Sequence, residues 1–64
     1  MNTATINPLD VVALRCTIDG WPAGTRATVL ELHSVPMALI EITNIDGSTA
    51  YMNGVPVAYL KATR

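Results

Sequence analysis

The chain has 64 residues, half of them apolar and 14% charged, with a formal net charge of −1. One cysteine, Cys16, excludes an internal disulfide, and one histidine, His33, excludes a cluster with zinc-ligand spacing. Four scattered cations, Arg15, Arg26, Lys61 and Arg64, face five carboxylates, which is no footprint for duplex nucleic acid.

Trp21, Tyr51 and Tyr59 are the aromatic residues, too few for a single-strand stacking platform. No apolar stretch approaches the length of a membrane helix. Residues 1–8 lack the basic start and apolar run of a secretion signal. A free cysteine without such a signal fits a reducing, bacterial-type cytoplasm. A domain of this length buries only about 60% of the surface its unfolded chain exposes, so its core is thin. Small soluble surfaces usually carry about 25–35% charged residues. The low charge here therefore predicts an exposed apolar face covered by self-association into a homo-oligomer. An apolar monomer is the competing expectation.

Residues 1–7 read as a flexible leader, followed by one domain over 8–64. Residues 9–16 predict the first strand, with Val12 and Leu14 on one face and Val11 and Ala13 on the other. The competing reading is a helix with Asn7 as its cap and Pro8 in its first turn. Residues 17–25 predict a loop, because Asp19-Gly20 and Pro22-Ala23-Gly24 are turn material. The second strand, 26–33, places Ala27 and Val29 on one side and Thr28, Leu30 and Leu32 on the other. Ser34-Val35-Pro36 interrupts it, since proline lacks the ladder donor. In the third strand, 37–43, Glu41 marks the solvent face, so Ile40 and Ile42 point inward.

Asp46-Gly47 predicts a type I′ hairpin into a fourth strand over 49–52. Asn53-Gly54 predicts a second tight turn. Pro56 then predicts a 3₁₀ turn at 56–58, and a last strand closes the chain over 59–63. Short strands at roughly ten-residue spacing, separated by turn signals, predict an all-β fold. At this length the architecture that fits is a small, partly open five-stranded barrel.

Three pieces carry a resemblance: Leu9-Asp10-Val11-Val12-Ala13-Leu14; Gly24-Thr25 followed by Ala27-Thr28-Val29-Leu30-Glu31; and Ile40-Glu41-Ile42 with Asp46-Gly47-Ser48-Thr49-Ala50. Together they resemble a small bacterial family known as a domain of unknown function, over residues 8–60. The resemblance implies an SH3-like barrel and brings no activity and no catalytic residues. The closing Val55-Pro56-Val57-Ala58 with Leu60 is similar to the end of the plasmid-borne type II dihydrofolate reductases. Those are SH3-like barrels that assemble as tetramers around one active pore, lined in part by a Gln-Ile-Tyr run. Here the matching positions are Asn53, Gly54 and Val55, so the likeness implies architecture and not reductase chemistry.

Each candidate site has a plain structural alternative. Cys16 becomes a nucleophile only with a base beside it, and His33 is the one available. The plain alternative is a small buried Cys16 and a solvated His33. Asp10, Asp19, Glu31, Glu41 and Asp46 are explained by turns and solvent faces, with Arg26 or Lys61 as cross-strand neighbours of the glutamates. Met37 and Met52 read as core or interface filler. Trp21, in its Gly-Trp-Pro loop, is either a partner-binding residue with Tyr51 and Tyr59 or a lid over the open end of the barrel. The expected function is a self-associating protein-interaction module, not an enzyme and without metal or cofactor. The alternative is a small-molecule site at the centre of a homo-oligomer, lined by Thr49, Tyr51 and Asn53.

Overall fold

Period-two alternation of apolar and polar residues produces five strands in chain order. These are β1 (Val11–Leu14), β2 (Arg26–Leu32), β3 (Met37–Thr43), β4 (Thr49–Pro56) and β5 (Leu60–Ala62), with a 3₁₀ turn at Val57–Tyr59 before β5. The computed structural model describes residues 6–33 and 36–63. Of the leader expected over residues 1–7, residues 1–5 lie outside the described residues, as does the break at Ser34-Val35; Ile6 packs against the core and Asn7 opens a hydrogen-bonded turn. The strands form one sheet in the order β4-β3-β2-β1-β5, and every neighbouring pair is antiparallel. The all-β, five-stranded fold is therefore as expected. Among the described residues no ladder joins β4 to β5, so the sheet stays open rather than closing into a barrel.

The core lies on one face. Val12, Leu14, Ala27, Val29, Ala38, Ile40, Ile42, Met52, Val55 and Leu60 are buried, and no polar side chain among the described residues is buried with them. Ile6, Ile18, Trp21, Leu32 and Val57 pack around this cluster, half-buried. Ile40 and Ile42, expected to face inward on the third strand, do so.

The structure corrects the details at the ends and kinks. β1 starts at Val11, not at residue 9, and no helix forms there. Asn7-Pro8-Leu9-Asp10 is a turn instead, closed by the Asp10 N–H donating to the Asn7 carbonyl at 3.1 Å. The Asp10 carboxylate accepts the Asn7 N–H at 2.9 Å. Pro8 suits the second position of this turn, and Leu9 at the third takes a φ of 74°. That conformation is strained for a bulky side chain.

Two β-bulges reset the side-chain phase. Val29 faces Ile40 but Glu31 faces Leu39, so Leu30 is an extra residue in β2. Leu32, expected on the face of Thr28 and Leu30, is thereby turned toward the core, opposite Ala38. In β4, Met52 faces Ile40 and Val55 faces Ala38, so one extra residue is accommodated between them. Gly54 supplies it at φ 73°, a conformation that costs glycine nothing. Asn53-Gly54 is thus a bulge inside one long strand, not a tight turn. The physical reason is that Met52 and Val55 are three residues apart and strict alternation would expose one of them.

The two Asp-Gly pairs also exchange roles. Type I′ needs positive φ at both central residues. Asp19 (φ 50°) and Gly20 (φ 85°) meet that condition, between Ile18 and Trp21, whose main chains bond each other at 2.8 and 2.9 Å. At the β3–β4 hairpin Gly47 is at φ 90° and Asp46 is not at positive φ. There the Gly47 N–H bonds the Asn44 carbonyl and the Asn44 N–H bonds the Ser48 carbonyl, so the expected loop over residues 44–48 forms with another turn type.

Candidate functional site

Trp21 stands in the small hairpin of the β1–β2 connection, half-buried and packed on the core beside Ile18. Tyr51 and Tyr59 are exposed, at 62% and 45%. Tyr51 lies in the edge strand β4, and Tyr59 ends the 3₁₀ turn into the other edge strand, β5. The three aromatic residues are therefore spread over a loop and the two edges of the sheet.

Thr49, Tyr51 and Asn53 do come together. They alternate along β4 with half-buried Ala50 and buried Met52, and all three are exposed. Tyr51 ends a row that crosses the outer sheet face through Val11, Thr28 and Glu41. A shallow groove of about 200 Å³ runs beside this row, lined by Val11, Arg26, Ala27, Thr28, Glu41 and Thr43.

Hydrogen-bond phase decides what the β4 main chain offers. In an antiparallel pair, bonded and non-bonded residue pairs alternate. The Asn44 N–H to Ser48 carbonyl bond starts that alternation at the hairpin. Ala50 opposite Ile42 and Met52 opposite Ile40 are then the bonded pairs. On the far side of β3, the His33 N–H to Met37 carbonyl bond has the complementary phase. Thr49 and Tyr51 consequently turn their N–H and C=O groups away from β3. Peptide planarity turns the Asn53 N–H the same way. Among the described residues no other segment pairs with that side of β4.

Asn53 is anchored by its side chain. Its Oδ1 accepts the Gly54 N–H at 2.9 Å and the His33 Nε2–H at 3.0 Å, which ties the bulge to the end of β2. This bond could not be read from the sequence, because it joins residues 20 apart through a bulge.

The structure separates Cys16 from His33. Leu14 pairs with Thr25 at the start of β2, whereas His33 follows the end of that strand. Cys16 is exposed rather than buried. The glutamates do not sit opposite cations: Glu41 lies between Thr28 and Tyr51, Glu31 faces Leu39, and Arg26 and Lys61 both face Ala13. Asp46 serves its turn, accepting the Ser48 hydroxyl at 2.7 Å and the Ser48 N–H at 2.9 Å. These two bonds hold its carboxyl below the ordinary value of 3.8. Among the described residues no group of three or more His, Cys, Asp or Glu side chains is placed to hold a metal ion, and no helix is long and apolar enough to cross a membrane. No protein-family profile, curated protein or solved structure matches the chain.

Proposed function

We propose that this chain is a non-catalytic protein-interaction module, an open five-stranded sheet of SH3-like topology that associates with itself and displays a docking surface. The SH3-like reading is supported by the strand order β4-β3-β2-β1-β5 with a 3₁₀ turn between β4 and β5. One observation carries the functional reading. After the core is filled, Leu9, Val11, Ile45, Tyr51 and Tyr59 remain exposed on a surface poor in charge. Such side chains gain free energy when a protein surface covers them, at about 25 cal/mol per Å² of apolar area removed from water. An exposed Cys16 thiol is consistent with the reducing, bacterial-type cytoplasm that this reading proposes.

The test is molar mass in solution by light scattering across a dilution series. The expected result is a mass that is a multiple of the 6.8 kDa chain and that falls on dilution. A single-chain mass at every concentration refutes self-association. A second reading, a small-molecule site at the oligomer centre, is favoured by the alignment of Thr49, Tyr51 and Asn53 on one exposed side of β4. It requires that Asn53→Ala abolish ligand binding without changing the mass.

A further inference from the structure

The unpaired edge of β4 deepens the self-association reading and rests on it. We propose that a second copy of this chain pairs with β4 in antiparallel register over residues 49–53, about a twofold axis at Tyr51. The main chain presents the right groups. Thr49 and Tyr51 offer both N–H and C=O outward, and Asn53 offers its N–H, as the bond phase of the β3–β4 ladder requires. With Tyr51 opposite its own symmetry mate, Thr49 stands opposite Asn53 of the other copy. About four main-chain hydrogen bonds then form across the axis.

The chemistry of the strand favours a second copy over an unlike partner. Folded proteins usually protect a long edge with lysine, proline or an inward-pointing charge. Residues 49–53 read Thr-Ala-Tyr-Met-Asn and contain neither charge nor proline. A twofold contact brings two copies of the same strand together, so a strand carrying one sign of charge would repel itself, whereas this uncharged one does not. On the outer side the exposed Tyr51 ring meets its symmetry mate as a cross-strand aromatic pair. On the inner side Ala50 meets Met52, a small residue against a large one.

The segment also has defined ends. The hairpin loop around Gly47 stops it on one side, and the Gly54 bulge with Pro56 stops it on the other. Pairing two β4 strands leaves β5 as the outer edge of the joined sheet. With only three residues, β5 is a poor template for further growth. The contact therefore closes as a dimer rather than propagating.

Two measurements test this together. In light scattering, the wild-type chain gives a dimer. The double variant Thr49→Lys/Tyr51→Lys gives a monomer, with dimer affinity weakened about a hundredfold or more by like charges brought together. Its circular dichroism and cooperative unfolding stay those of a folded chain. In a Cys16→Ser background, Tyr51→Cys cross-links two copies on mild oxidation and Ile45→Cys does not. Bonded antiparallel partners lie about 5.5 Å apart at Cα, within disulfide reach. If the lysine variant fails to fold, the cross-link decides the matter. A wild-type dimer that survives the lysines, or that fails to cross-link at position 51, overturns the β4 contact and leaves self-association standing. A wild-type monomer at all concentrations overturns both.

Discussion

Gly54 tests the bulge in β4 directly. Its φ of 73° lies in the left-handed region, and a Cβ built on it meets nothing within 4 Å. Gly54→Ala therefore introduces a backbone cost without a clash. Placing an L-residue there costs about 1–2 kcal/mol. Alanine also lowers the entropy of the unfolded chain, which offsets about 0.4–1 kcal/mol of that cost. The net loss is about 0.5–1.5 kcal/mol, a large share of the roughly 3–10 kcal/mol expected for a domain of this size. With a urea m-value of about 1 kcal/mol/M, the unfolding midpoint drops by about 0.5–1.5 M. Far-ultraviolet circular dichroism and the fluorescence of half-buried Trp21 both report the transition. Gly54→Asn falls between alanine and wild type, because asparagine tolerates this conformation, and Gly54→Val is worst. Deleting Gly54 removes the extra residue and forces Met52 or Val55 out of the core, at about 2–5 kcal/mol, a larger loss than any of the substitutions. An unchanged midpoint for Gly54→Ala, together with a valine variant no worse than it, refutes the bulge.

Other perturbations probe the remaining particulars. Leu32→Ala destabilises more than Leu30→Ala, by about 1 kcal/mol in urea unfolding, since the β2 bulge turns Leu32 and not Leu30 toward the core; the reverse order refutes that register. Trp21→Ala costs about 2 kcal/mol by the same assay, because the ring packs on the core cluster beside Ile18; an unchanged midpoint leaves it a surface group. Asp46→Asn lowers the melting temperature at about pH 6 and loses that effect toward about pH 2. The sign follows from a folded-state pKa depressed by the Ser48 hydroxyl and N–H. The stabilisation is present above the ordinary value of 3.8 and is lost as pH falls through the lower folded value. A gap between variant and wild type that persists at low pH contradicts it.

Local pattern was enough to determine the class of fold, which residues share a face on the first strands, and the inward face of β3. Val12 and Leu14, Ala27 and Val29, and Ile40 and Ile42 are pairs at period two, and all are buried. Side chains on a strand alternate whatever the strand pairs with, so this much is a property of the chain segment itself. The 3₁₀ turn before the last strand was legible for a similar reason, since Pro56 presets its own φ. The candidate aromatic residues were legible as residues but not as a site. Their placement on a loop and two opposite edges depends on strand order, which no local pattern encodes.

Tertiary pairing decided the rest. Whether Asn53-Gly54 ends a strand or bulges within one depends on β3, which accepts Met52 and Val55 opposite Ile40 and Ala38. Whether Leu30 or Leu32 faces inward depends on the same strand from its other side. Of two identical Asp-Gly pairs, only the one between directly bonded Ile18 and Trp21 takes the type I′ form. The free edge of β4 is likewise decided by pairing: β3 takes every second N–H and C=O of that strand, and the remainder face outward because nothing else in the described fold lies beside them. Hydrogen-bond partners far apart in sequence set these outcomes, and their free energy appears only when the strands meet.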